Sequence, residues 1–204
     1  MLIGDNTDAP WHPLEPVRQE LEAILGGDFE LECTEDYDRF RSLNYRETPL
    51  CVSYTDCWKK TLTPEQSEGI IRFVEDGGGL LAIHNGISIA GLPELKELVG
   101  GRFITHPPYQ TLQYYGTAAD HPLLDGVGDF TLEEEPYFFE LEHSADCQVI
   151  MEYAFEGSRY PAAWAYERGQ GRVVYLQPGH HAPSFRPTSY RRLILNSARW
   201  VIQR

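Results

Sequence analysis

The sequence has no basic run: 17 lysines and arginines are dispersed among 31 aspartates and glutamates, giving a formal charge of −14. Nucleic-acid partners are held by clustered Lys and Arg that displace phosphate counterions, so no such partner is expected. The acidic excess is read as serving solubility. No window approaches the about 20 apolar residues that a membrane-spanning helix needs. The opening Met-Leu-Ile-Gly-Asp-Asn has neither the basic start nor the apolar stretch of a signal peptide. The expectation is a cytoplasmic protein without a membrane partner. The four cysteines, Cys33, Cys51, Cys57 and Cys147, show no CxxC spacing. That excludes a zinc ribbon and leaves free, buried thiols as the expectation. Gly77-Gly78-Gly79 precedes a strand and no Lys-Ser/Thr follows it, which excludes a P-loop. Repeats, linkers and low-complexity segments are also missing, so residues 1–204 are read as one domain.

What is present is an alternation of strand and helix signals over the first two-thirds, the mark of a parallel sheet with crossover helices. A short apolar stub at 1–4 runs into a polar loop at 5–13. Pro16 suits a first helical turn, and Val17, Leu21, Ile24 and Leu25 recur at helical spacing before Gly26-Gly27. Strands are predicted at 29–33, 50–54 and 80–83. Thr63-Pro64-Glu65-Gln66 carries the capping-box pattern of a helix start. A short helix is predicted at 92–99. Residues 109–175 read as mostly strands, with a hairpin turn at 168–171. A last helix spans 189–202, with Tyr190, Leu193, Ile194, Trp200 and Val201 on one face. The fold class is α/β: a three-layer sandwich with a mostly parallel central sheet of flavodoxin-like type and a strand-rich C-terminal half. The 12 tyrosines, 9 phenylalanines and 4 tryptophans either fill cores or line a pocket for flat or sugar-like ligands.

In an open parallel sheet, ligands bind at the carboxyl ends of the strands. Two predicted strand ends here carry histidine: Ile83-His84-Asn85-Gly86 and Gln177-Pro178-Gly179-His180-His181. Two facing imidazoles suit transition-metal binding or proton transfer. His12, His106, His121 and Glu133 to Glu135 add further ligand types. The expected site centres on His84 and His180, with His12 and one glutamate nearby. A divalent transition metal such as zinc, held by His84, His180 and His12, is one reading, although no HxH or HxxxH pair fixes two ligands locally. Asp5 and Asn6, after the first strand, suit hydroxyl recognition. His106, before Pro107-Pro108, reads as a pocket wall. His121-Pro122 reads as a structural turn, and His143 and His181 as exposed. Trp11, Tyr54, Trp58 and Tyr137 are candidates to stack on a sugar face, and Trp164 reads as core.

The run Gly77-Gly78-Gly79-Leu-Leu-Ala-Ile-His84-Asn-Gly resembles the glycine-rich strand and histidine signature of the ThuA-like (trehalose utilisation) family. So do the Asp-Asn…Trp11-His12 opening, the segment 120–126, and Glu133-Glu134-Glu135 before Tyr137. Tyr160-Pro161-Ala-Ala-Trp164 and Gly169-Gln170-Gly171-Arg172-Val-Val-Tyr…Gly179-His180 complete the set, in order, over nearly the whole chain. The departures are Asn85-Gly86, where small residues such as Ala are expected, and a clipped first strand.

The resemblance implies a fold similar to class I glutamine amidotransferases. In those enzymes a cysteine sits on the sharp turn after the glycine-rich strand and a histidine follows a late strand. The matching positions are His84 and His180. Imidazole cannot replace a thiolate as acyl acceptor, so glutaminase activity is not expected. The resemblance further implies an enzyme acting on a carbohydrate or keto-sugar by hydrolysis, elimination or isomerisation. His84 and His180 would be acid and base or metal ligands, and Asp5, Asn6, His12, Asn85, Tyr54, His106 and Glu135 would bind the small-molecule sugar. The alternatives are a non-catalytic sugar-binding or accessory protein on the same scaffold, or a cysteine amidase using a thiol from elsewhere. The aromatic-rich segment 110–142 is a candidate for edge pairing in a homodimer.

Overall fold

Both faces of the central strands are apolar, and that decides the layering. In β4 (Gly79–Ile83), Leu81 and Ile83 join one buried cluster while Leu80 and Ala82 join the other. Successive side chains point to opposite faces, so such a strand must be covered on both sides. The computed structural model describes residues 1–142 and 147–203. Helices α1 (Leu14–Leu25) and α4 (Thr188–Val201) bury Leu14, Val17, Leu21, Tyr190, Leu193 and Ile194 in the first cluster. Helices α2 (Pro64–Glu75) and α3 (Pro93–Val99) bury Ile70, Phe73, Val74, Leu95 and Leu98 in the second.

The expected α2 start is present in full. Thr63 accepts from the Gln66 backbone N–H at 3.3 Å, and the Gln66 side chain accepts from the Thr63 N–H at 2.9 Å. The strand predicted at 50–54 is β3 (Leu50–Tyr54), and the clipped first strand is β1 (Leu2–Gly4). The strand predicted at 29–33 shrinks to β2 (Cys33–Thr34), a short edge element paired with Leu2 and Ile3.

The remaining strands are β5 (Gly101–Thr105), β6 (Gln110–Gly116), β7 (Phe130–Glu134), β8 (Phe138–Leu141), β9 (Gln148–Phe155), β10 (Ser158–Arg168) and β11 (Gly171–Leu176). Nine strands form one sheet in the order β2-β1-β3-β4-β11-β10-β9-β6-β7, while β5 and β8 pair separately. The α/β class is the expected one. The sheet, however, is mixed rather than mostly parallel: β2 to β11 is parallel, and every pairing from β11 to β7 is antiparallel. Hairpin chemistry accounts for two of these antiparallel pairings, β9 with β10 and β10 with β11. Glu156-Gly157 joins β9 to β10 with φ of 48° and 77°, and Gly169 (φ 59°) opens the turn from β10 to β11. Two-residue turns reverse the chain and so join antiparallel neighbours. Within 110–142, β6 is paired on both sides and only β7 has a free edge in the large sheet.

No helix among the described residues is long and apolar enough to cross a membrane. All four cysteines are free.

Candidate functional site

Four side chains from distant parts of the chain meet beyond the carboxyl ends of the parallel strands. His12 comes from the loop before α1, His84 from the end of β4, Glu135 from the segment after β7, and His180 from the loop after β11. One ligand-type atom from each lies within 4.8 Å of the others. The ring centroids of His12 are 5.0 Å from His84 and 5.1 Å from His180, and His84 and His180 are 5.5 Å apart.

His84 sits on a bend. Its φ is +46°, in the left-handed region that a branched or bulky L-residue seldom adopts. The bend turns the chain from β4 into a one-sided 3-10 segment, His84–Gly91. Gly86 is required there, because a Cβ would meet the Ser53 carbonyl oxygen at 2.3 Å. Strain of this kind, of order 1–3 kcal/mol, persists only where surroundings over-determine it. Here the Tyr175 hydroxyl donates to the His84 carbonyl at 3.1 Å, and His84 Nδ1 lies 2.8 Å from the Gln177 carbonyl oxygen. A carbonyl only accepts, so Nδ1 carries the proton. Nε2 is then the acceptor for the Tyr137 hydroxyl at 3.0 Å. Burial depresses the His84 pKa to about 3, against hydrogen bonding by Glu135, so the ring is neutral.

Glu135 and His180 form the exposed side of the group. Glu135 Oε2 is 3.2 Å from His180 Nδ1 and 3.7 Å from His84 Nε2. Burial opposes the ionisation of Glu135, but the adjoining imidazoles of His180 and His84 outweigh it and hold the carboxyl well below its usual range. For His180 burial acts downward, and the adjoining Glu135 carboxylate overrides it, raising the pKa. The His180 side chain is 22% exposed and Glu135 14%, whereas His84 is sealed. Solute therefore reaches the group from the His180 side.

His12 is buried and its Nδ1 lies 3.3 Å from Asp56 Oδ2. Asp56 is held in turn: its backbone N–H donates to Asp5 Oδ2 at 3.0 Å, and Asp5 also takes Lys60 Nζ at 2.5 Å and the Tyr37 hydroxyl. The sequence points to Asp5 as a hydroxyl binder; its carboxylate is spent on this network instead. Asn6 is likewise occupied, donating to Glu35 at 3.0 Å and accepting from the Glu15 backbone N–H at 2.8 Å near the start of α1.

Tyr54 and Asn85 lie beneath the site and are fully buried. The Tyr54 hydroxyl donates to the Gly179 carbonyl at 2.7 Å, and Asn85 Nδ2 to the Tyr54 carbonyl at 3.1 Å. Neither is placed to touch a solute. His106 stands at the rim, 37% exposed, with Nε2 3.8 Å from Glu135 Oε1. His121 caps a turn by accepting from Leu123 N–H at 3.2 Å. His181 is half-buried rather than exposed, between the Tyr109 hydroxyl at 3.0 Å and Ser184 Oγ at 3.1 Å. His143 lies outside the described residues. Tyr137 and Trp164 are buried, Trp58 packs on Phe103, and Trp11 alone of the proposed stacking residues is well exposed, at 56%.

Sequence reasoning singled out Glu135 but missed Asp56, Gln177 and Ser184 and the supporting role of Glu134. Glu134 is fully buried and takes Ser184 Oγ (2.7 Å), Gly179 N–H (3.1 Å) and His180 N–H (3.2 Å), fixing the turn that carries His180. Burial raises its pKa to about 7, with those donors acting against the rise. The signal was available in the alternation of β7, where Phe130, Leu132 and Glu134 share the buried face. A groove of about 550 Å³ lies far from this group, lined by Met1, Phe29, Glu32 and Leu50 among others, and contains no histidine.

A histidine on a left-handed bend after the central strand faces a second histidine after a later strand, and cysteine stands at neither position. The ThuA family model, described as trehalose utilisation, matches residues 7–201, and the chain belongs to that family. A ThuA-like protein of Parabacteroides merdae superposes with a TM-score of 0.81 at 16% identity, covering 99% of this chain and 88% of that one. A ThuA-like protein of Bacteroides uniformis gives 0.78 at 18% identity, over 98% and 89% of the two chains. A cytoplasmic protein of Salmonella typhimurium gives 0.67 at 15%, over 92% and 87%. At these identities the likeness is one of fold. No curated protein matches the chain.

Proposed function

We propose that the protein is an enzyme of carbohydrate utilisation, acting on a sugar or keto-sugar at the His84–Glu135–His180 group without a cysteine nucleophile. The carrying observation is the convergence of these three groups, with Glu135 Oε2 3.2 Å from His180 Nδ1 and 3.7 Å from His84 Nε2. Glu135 is held ionised, His180 is favoured as the cation 3.2 Å away, and His84 is held neutral. Groups whose surroundings push their pKa values apart make an acid–base pair. His180 is the donor to a carbonyl or departing oxygen, and Glu135 the acceptor of a proton from a hydroxyl or water. His84, supported by Tyr137, is a neutral hydrogen-bonding wall.

Carbohydrate as the substrate class rests on the family's description and on two exposed aromatics. Trp11 adjoins His12, and the ring of Tyr109 lies 5.8 Å from His180. Such rings stack on the apolar faces of sugars. His106 at the rim adds a hydrogen-bonding group. A cytoplasmic location is in keeping with the description of the Salmonella neighbour.

Incubation with disaccharides and their keto derivatives, followed by chromatography, tests the reading. Turnover is expected, with His84→Ala and His180→Ala each losing roughly 100- to 10,000-fold in kcat/KM. Rates untouched by both substitutions would refute the site. Thermal stabilisation by sugars without any turnover would refute the enzyme.

A further inference from the structure

Four ligand-type atoms converge within 4.8 Å of one another, and two of the imidazole nitrogens among them carry no proton. His12 Nδ1 faces the Asp56 carboxylate, which accepts a proton, so the opposite nitrogen Nε2 is bare. That Nε2 is buried and has no hydrogen-bond partner. His84 Nδ1–H is committed to the Gln177 carbonyl, so its Nε2 carries no proton and its lone pair takes only the Tyr137 hydroxyl. Glu135 Oε2, another acceptor, stands 3.7 Å from that nitrogen, where no shared proton can satisfy both. His180 Nδ1 is 3.2 Å from the same oxygen, yet it is buried and not aligned for a hydrogen bond. The bare His12 Nε2 and the unprotonated His84 Nε2 thus stand in a buried place beside the Glu135 carboxylate, an arrangement that a cation between them stabilises.

We infer that His12 Nε2, His84 Nε2, His180 Nδ1 and Glu135 Oε2 together bind one divalent transition-metal ion. Three imidazoles and one carboxylate are the donor set of zinc, cobalt, iron(II) or manganese, and not of calcium or magnesium, which take oxygen ligands. The outer contacts fit the same reading: ligating imidazoles characteristically give their other N–H to a carboxylate or a backbone carbonyl. Asp56 does this for His12, and the Gln177 carbonyl for His84. Ligand atoms of a tetrahedral zinc site lie roughly 3.3 Å apart, so a group spread over 4.8 Å draws inward by about an ångström on binding. The Tyr137 hydroxyl must swing off His84 Nε2 at the same time. It then stands beside the ion as a free hydrogen-bonding group.

The inference uses the site of the proposed enzyme but not its substrate. An ion there would be held by His180 and Glu135 together with His12 and His84, and would itself supply the polarisation of a sugar oxygen.

Chelator-treated full-length protein titrated with zinc by calorimetry, and with cobalt by visible absorption, is the test. Saturation at one equivalent is expected, with cobalt giving the ligand-field bands of nitrogen and oxygen coordination. His12→Gln and Glu135→Gln should each weaken binding at least 10-fold. Asp56→Asn should weaken it on the order of 10-fold through loss of orientation. His121→Ala, on a remote turn, should leave it unchanged. Circular dichroism on every variant establishes folding, and the wild-type titration stands whether or not a variant folds. Absence of saturable binding of either ion to folded wild-type protein overturns the inference, as does undiminished affinity in folded His12→Gln and Glu135→Gln. Sugar turnover in chelated protein that takes up no metal would overturn it while leaving the enzyme reading intact. Metal uptake without turnover would do the reverse.

Discussion

At the residue scale, the abundance of tyrosine turns out to be architectural. Tyr54, Tyr153, Tyr175 and Tyr190 are fully buried and donate to the carbonyls of Gly179, Tyr137, His84 and Pro178, at 2.7, 2.7, 3.1 and 2.5 Å. Each props a backbone segment that carries or adjoins a site residue. Replacing a buried hydroxyl while keeping the ring orphans the carbonyl it served, at a cost of about 1–2 kcal/mol. Tyr54→Phe and Tyr175→Phe should each lose about that much stability in urea unfolding. Losses near zero would mean that water replaces the hydroxyl. Composition alone left core filling and sugar stacking equally open for these rings; the four props belong to the first, and only the exposed Trp11 and Tyr109 remain available for the second. His84 and His180 were legible because each follows a continuous apolar strand. Asp56 was not, because its role depends on Asp5 and Tyr37, which meet it only after folding.

At the scale of elements, the sequence specified capping and strand cores well and pairing direction poorly. The Thr63–Gln66 box, β3 and the turn after β10 follow from local chemistry. The antiparallel half of the sheet rests on long-range pairing such as β6 with β9, for which no local signal exists. That half matters to the site, since the antiparallel strand β7 delivers Glu134 and Glu135 to the edge where the parallel strands end. The bend between β4 and the 3-10 segment is the least tolerant junction. Gly86→Ala would force its Cβ into the Ser53 carbonyl and should destabilise the protein by roughly 2–4 kcal/mol. A change under about 0.5 kcal/mol in chemical denaturation would show that the bend relaxes freely.

At the scale of the whole molecule, the cysteines are distributed away from reactivity. Burial pushes Cys51 up to about 12 and Cys57 and Cys147 up to about 11, and it raises Cys33 as well. Thiolate is the reactive form, and a raised pKa leaves little of it near neutrality. Iodoacetamide at pH 7.5 should therefore modify the folded protein on the order of 100-fold more slowly than the urea-unfolded chain. A single fast-reacting thiol whose loss abolished activity would revive the cysteine amidase. The site draws on positions 12, 84, 135 and 180, and so on nearly the full span of the sequence. During synthesis, the first imidazole exists long before its last companion has been added. On the proposed reading, the growing polypeptide would complete its site only near the end of translation, and a fragment cut anywhere between those two positions would lack part of it.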